Sequence, residues 1–168
     1  MAIWYEVEKT TDGVNNFLNC NWEFHDFRIE KIEHIPVKNM TEMFLKYDTM
    51  KKGVILRFIG VYNIHITEYH ESEWIDGSIV IIGKNNSLLW LNNDNWGEDS
   101  EEHLDELKAY NTWIEADKIF WAVTDADGHP IEMPENRIHQ VLYNFGKQEE
   151  KHFSLKEFNG DWDSIITP

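Results

Sequence analysis

A stretch of alternating residues, Gly53–Tyr69, constrains the fold more than any other feature of the sequence (GVILRFIGVYNIHITEY). A period of two held over the thirteen residues from Val54 to Ile66 predicts a long β-strand with one buried face. The odd-numbered positions mix apolar and polar residues, so the second face is expected to be only partly covered. Gly60 lies in the even register and predicts a bend, a bulge or the close approach of another element. The side chains expected on the buried face are Leu56, Phe58, Tyr62, Ile64 and Ile66.

Shorter patterns on both sides of this strand predict an antiparallel meander. Before it, the candidate strands are residues 3–8, residues 22–35 and Met43–Tyr47. In residues 22–35 the alternation slips near Glu30-Lys31, which fits a bulge in the strand or a helical turn. Asp12-Gly13 is typical of a turn, and residues 14–20 leave helix and strand open. After the long strand, residues 78–82 and 87–91 predict a hairpin with a four-residue loop, and residues 118–124 predict a strand that ends in a turn at 125–130.

Helical spacing is confined to the second half of the chain. Leu104, Leu107, Tyr110 and Ile114 follow a helical stripe, and Asp99 followed by Glu102 would form a capping box. Residues 137–145 fit either a helix or a strand. These patterns predict an α+β fold, mainly an antiparallel β-sheet with one or two helices packed on one face. The 168 residues contain no repeat or long linker, so we expect a single domain spanning 1–168.

The net charge of −16 is the most informative global property. Residues 1–91 carry 13 acids and 9 Lys/Arg, for a net charge of −4, whereas residues 92–168 carry 18 and 6, for −12. Direct binding to nucleic acid is disfavoured, because phosphate contacts require a basic surface. The charge is consistent with simple solubility or with a face that meets a basic protein partner.

Targeting and redox signals are consistent with a cytoplasmic protein. The first residues lack the basic and apolar regions of a signal peptide, and no run approaches the length of a membrane span. The lone cysteine, Cys20, cannot form an internal disulfide. We therefore expect a cytoplasmic protein with no membrane association. The oligomeric state is left open.

The acids are densest in one short segment. Seven acids and no Lys or Arg lie between Asp94 and Glu106. If Leu104 and Leu107 face the core, most of these acids point to solvent at helical spacing. The expected partner-binding residues are Glu98, Asp99, Glu101, Glu102, Asp105 and Glu106.

Two other sets of residues provide alternatives. The first is a loop whose aromatic and amide side chains suit a carbohydrate or another small ligand, namely Asn93, Asp94 and Trp96. The second set would serve a metal-dependent hydrolase, namely His25, Asp26, His65 and His70. No HExxH, HxH or paired CxxC spacing occurs, so the sequence predicts no metal and no cofactor. Asp125 and Asp127 begin like a calcium loop but lack its later ligands, which favours an Asp-Gly turn.

One segment has a family resemblance. Phe24-His25-Asp26, followed by Ile29, Ile32 and the alternating strand, resembles the opening "H-D-x-x-I-x-x-I" of several families of small bacterial proteins. Some of these families are grouped with presumed immunity proteins of bacterial toxin systems. The resemblance covers residues 22–70 and implies a mainly β, cytoplasmic, bacterial protein. It implies no catalytic residues.

Taken together, the sequence favours a protein without catalytic activity but leaves an enzyme open. The expected function is an acidic protein-binding module, with an immunity-type inhibitor of a basic partner as its specific form. A carbohydrate-binding or small-ligand-binding domain and a metal-dependent hydrolase remain the alternatives.

Overall fold

A computed structural model describes residues 1–47, 52–67, 74–75, 77–92, 103–132 and 155–166. Within these ranges nine strands form one sheet: β1 Trp4–Glu6, β2 Phe27–Ile35, β3 Met40–Tyr47, β4 Lys52–His65, β5 Trp74–Ile75, β6 Ser78–Ile82, β7 Leu88–Asn92, β8 Trp113–Asp125 and β9 Lys156–Phe158. The helices are α1 Thr11–Cys20, α2 Leu104–Tyr110 and α3 Trp162–Ile165. The α+β class with an antiparallel sheet is therefore confirmed.

The sheet is built around the long antiparallel pair of β4 and β8. Its order is β5-β2-β3-β4-β8-β1-β9, and the β6–β7 hairpin joins the sheet through the first residues of β8. Every strand pairing is antiparallel. In the described part of the chain the longest helix, α1, has ten residues, and none of the helices could cross a membrane.

The main core covers one face of the sheet. Leu56 and Phe58 of β4 are fully buried there, and the Phe58 ring packs against Trp90 with 6.4 Å between ring centroids. Helix α1 closes this face, since its Phe17 packs against Trp121 of β8 at 6.0 Å. Full burial of each large apolar side chain stabilises the fold by about 1.5–3 kcal/mol.

Helix α1 replaces the predicted turn at Asp12-Gly13, which was wrong. The hydroxyl of Thr10 caps the helix by accepting a hydrogen bond from the backbone N–H of Gly13 at 2.9 Å, so both residues belong to its first turn. The open choice at residues 14–20 is resolved as a helix. Val14, Phe17 and Cys20 recur every three residues and supply its buried face.

Strand β4 bends at Gly60, as the glycine predicted. Its φ is +67°, and a Cβ there would lie 2.9 Å from the Cβ of Asp117 on β8. The pairing register then shifts between Val61 and Asn63. The predicted alternation is correct through Phe58, but it is wrong for Tyr62 and Ile66. Ile64 still packs against the core, but Tyr62 is 54% exposed and Ile66 is 37% exposed.

Other predicted boundaries are largely confirmed. The bulge in β2 lies between Ile29 and Lys31, and the hairpin of β6 and β7 forms with a loop one residue longer than predicted. Strand β8 begins at Trp113, five residues earlier than predicted, so Ile114 is a buried strand residue and not part of the helical stripe. The capping box at Asp99 and the segment 137–145 lie outside the described residues.

The second face is covered along the first half of β4. Ile55 and Ile59 are buried there with Trp4 and Phe120, and the aromatic ring of Trp162 in α3 packs on them. Arg57 lies between the Trp4 and Trp162 rings, 4.3 and 4.2 Å from their centroids. Its Nε also donates a hydrogen bond to Glu42 at 2.8 Å. This half of β4 is therefore enclosed on both faces.

Candidate protein-interaction surface

Helix α2 is held to the sheet by contacts at its C-terminal end. The Asn111 side-chain amide donates to the carbonyl oxygen of Leu107 at 2.9 Å, and the indole N–H of Trp113 donates to the carbonyl oxygen of Lys108 at 3.0 Å. These bonds satisfy carbonyl groups that the end of a helix leaves without intrahelical partners. The ammonium group of Lys108 also lies 4.1 Å from the centre of the Trp113 ring. These contacts join the C-terminal end of the short helix to the first residue of β8.

The end of β4 is bonded to the segment that joins α2 to β8. The His65 Nδ1 donates to the carbonyl oxygen of Asn111 at 3.0 Å. The backbone N–H of Thr67 donates to Thr112 Oγ1 at 3.2 Å. Ile66 lies between His65 and Thr67 in sequence, and Tyr110 directly precedes Asn111. These bonds therefore bring the chain around Ile66 next to the end of α2.

Apolar and acidic side chains are exposed together in this region. Tyr110 is 76% exposed, Tyr62 is exposed on the second half of β4, and Ile66 is exposed directly after the end of this strand. Asp105 and Glu106, in the first turn of α2, are also exposed. We call these five residues the β4–α2 surface. Tyrosine is enriched at protein interfaces, and exposed carboxylates attract basic groups over a distance.

The sequence predicted part of this surface. Asp105 and Glu106 were predicted to face solvent, and they do. Glu98, Asp99, Glu101 and Glu102 lie in the part of the chain that is not described. Tyr62 and Ile66 were missed as surface residues because their register placed them in the core, although Gly60 had already signalled a bend. Tyr110 was predicted on the apolar stripe of the helix, but it points outward.

The His25-Asp26 pair lies in a tight turn that precedes β2. The two side chains are adjacent, with His25 Nδ1 3.0 Å from Asp26 Oδ1. Glu23, Phe24 and Asp26 have φ values of 52°, 58° and 64°, which is strained for residues other than glycine. The strain has a structural cause, because Phe24 is fully buried between Phe17 and Phe27.

The predicted strand at residues 22–35 begins five residues later, at Phe27, so His25 and Asp26 precede β2. Instead, the backbone N–H of Asp26 donates to the carbonyl oxygen of Ile75 at 3.0 Å and ties the turn to β5. This bond gives the turn a clear role in holding the edge of the sheet.

The residues considered for a metal site do not converge in the described ranges. His65 is bonded to the Asn111 carbonyl oxygen, whereas His25 is paired with Asp26. Among the described residues, the one group of three potential ligands with mutually close atoms is Asp125, Asp127 and His129. His70 lies outside the described ranges.

The Asp125–His129 group is a turn that its own backbone hydrogen bonds explain. Asp125 Oδ1 accepts hydrogen bonds from the backbone N–H groups of Asp127 and His129, both at 2.9 Å. The bond from the backbone N–H of His129 is the largest cause of a lowered pKa for Asp125. The predicted turn at 125–130 is confirmed. The proposed sugar-binding loop, with Asn93, Asp94 and Trp96, is not among the described residues.

Comparisons with protein-family models, with curated proteins and with solved structures find no match for this chain.

Proposed function

We propose that this protein is a non-enzymatic binding module that uses the β4–α2 surface to bind a basic protein. The observation that carries the proposal is the joint exposure of Tyr110 and Ile66 beside Asp105 and Glu106. Tyrosine is one of the residues that most often dominate binding energy at protein interfaces. The acids would attract a basic partner over a distance and favour one orientation.

The fixed geometry of this surface supports the proposal. Helix α2 is anchored through Asn111 and Trp113, and the end of β4 is bonded to the same segment. Side chains on anchored elements lose less conformational freedom when a partner binds, so more of the contact energy appears as affinity. A surface held in this way suits specific recognition better than general solubility.

The specific form of the proposal is an immunity-type inhibitor that acts in the bacterial cytoplasm. The resemblance of residues 22–70 and the net charge of −16 support this form. Such an inhibitor needs no catalytic residues of its own, because it acts by occupying a surface of its target. A repulsive potential makes nucleic acid an unfavourable partner.

Affinity purification from the organism that encodes the protein tests the proposal. The baits are the parent protein, an Ile66→Ser/Tyr110→Ser variant, and a control variant, Val37→Ser/Ile82→Ser. The control removes two apolar side chains that are also exposed, at 80% and 36%, but lie elsewhere. We expect a basic protein to be recovered with the parent and the control and to be lost with the surface variant. Equal recovery with all three baits would contradict the proposal.

A further inference from the structure

A cleft with a volume of about 540 Å³ opens beside the paired strands β1 and β9. This volume lies in the range of sites that bind small groups. Trp4, Phe158 and Trp162 form its aromatic wall, and Glu132 and Glu157 contribute two carboxylates. Both glutamates are exposed, whereas Trp4 is buried and the other two rings are half-buried. The cleft therefore combines an apolar wall with a negatively charged rim.

The geometry of the strands explains this combination. In the β1–β9 pair Trp4 lies opposite Phe158, and Tyr5 lies opposite Glu157. Successive side chains of β9 point to opposite faces, so Phe158 joins the aromatic cluster while Glu157 faces away from it. The Phe158 and Trp162 rings then pack at 4.5 Å between centroids and fix the wall.

The aromatic wall already binds a cation of this chain. The Arg57 guanidinium lies 4.3 Å from the Trp4 ring and 4.2 Å from the Trp162 ring, which is the geometry of a cation–π interaction. At the rim, the amino group of Met1 lies 3.5 Å from Glu132 Oε2, so this carboxylate can accept an ammonium group. Lys156 is paired with Glu6 at 2.7 Å and is not available to Glu157.

We propose that this cleft binds the side chain of a lysine that a partner protein inserts. The aliphatic part of the lysine would lie against the aromatic wall, and the ammonium group would reach the carboxylate of Glu132 at the rim. Lysine suits this arrangement because its stem buries apolar surface while its charged end stays at a polar rim. The net charge of −16 adds a long-range attraction for a basic chain. This site is separate from the β4–α2 surface, and its assignment does not depend on the function proposed there.

NMR titration with a short peptide tests the proposal. The probe is acetyl-Gly-Lys-Gly-amide, and its counterpart with norleucine removes the charge but keeps the aliphatic stem. We expect the lysine peptide to shift the indole N–H signal of Trp162 and the backbone signals of Asn159 and Gly160. The norleucine peptide should bind about threefold to tenfold more weakly, as expected for one exposed cation–π or ion-pair contact.

Matched variants separate this site from the general charge of the protein. Glu132→Gln should weaken binding of the lysine peptide, whereas Glu33→Gln on β2 and Glu106→Gln on the β4–α2 surface should leave it unchanged. All three positions are exposed, so the fold should survive each change.

Equal weakening by all three variants would show attraction to net charge alone and would overturn the assignment. Equal binding of the norleucine peptide would overturn it as well. If methylammonium bound as tightly as the lysine peptide, the cleft would be a site for free amines and the proposed protein side chain would be wrong.

Discussion

The two halves of β4 carry similar side chains but have different roles. In Lys52–Ile59 the even residues face the main core and Ile55 and Ile59 face the second core, so both faces are enclosed. From Gly60 onward the strand is bent and bulged, and Tyr62 on the strand and Ile66 just after it are exposed. The comparison shows that one glycine and one shift in pairing can move apolar side chains from the core to the protein surface.

Core substitutions should separate the two halves most clearly. Phe58→Ala should lower the free energy of unfolding by about 3–5 kcal/mol, since it removes a fully buried ring. Tyr62→Ala should lower it by less than about 1 kcal/mol, since surface substitutions have small effects. Urea denaturation measures both. Losses of similar size would show that Tyr62 also belongs to the core.

The bend itself can be tested at Gly60. Gly60→Ala should destabilise the protein by roughly 1–2 kcal/mol, because an alanine is strained at positive φ and its Cβ would meet Asp117. Gly60→Asn should recover part of this loss, since asparagine tolerates this backbone conformation better but keeps the Cβ contact. If both variants unfolded at the urea concentration of the parent, the bend would not need glycine.

The turn that follows β8 lies beside the enclosed half of β4. The carboxylate of Asp125 in this turn provides a test with a smaller expected effect. In the register of β4 with β8, Asp125 lies opposite Lys52. Hydrogen bonds from the backbone N–H groups of His129 and Asp127 stabilise the Asp125 carboxylate and lower its pKa. A lowered pKa in the folded state means that this stabilisation is complete above the pKa of the unfolded chain. It is lost as the pH falls through the pKa of the folded state.

NMR titration of the Asp125 carboxyl carbon should give a midpoint below that of an unfolded aspartate. The Asp125→Asn variant should lose this part of the pH dependence of stability. A midpoint at or above the ordinary value of an aspartate would show that the hydrogen bonds to Asp127 and His129 do not persist in solution.

Local patterns predicted the sheet well, because alternation in β2, β3 and the first half of β4 reflects burial directly. They failed where the backbone departs from regular geometry. Tyr62 and Ile66 are large apolar residues, and the sequence alone does not show whether such residues are buried or exposed. The shift in the pairing of β4 with β8 accounts for their exposure.

The sequence left helix α1 open and missed the cleft, for different reasons. The short segment at residues 14–20 fits both a helix and a strand, and packing against Trp121 decides between them. The cleft joins Trp4 with Glu157 and Trp162, which are more than 150 residues apart, and no local pattern could bring them together. The exposure of Asp105 and Glu106 in α2 was predictable, because the helical spacing of Leu104 and Leu107 places these acids on the side of the helix that faces solvent.

The most direct test of the central claim is to measure, at several salt concentrations, the rate at which the purified protein binds the proposed basic partner. The test variant is Asp105→Lys/Glu106→Lys. The control variant, Glu30→Lys/Glu33→Lys, makes the same change in net charge on two exposed acids of β2. If the β4–α2 surface steers the partner, the test variant should associate on the order of tenfold more slowly at low salt, and its association rate should depend less on salt. The control variant should show a much smaller effect on both. An association rate and a salt dependence that match the parent, or equal losses for both variants, would contradict the account.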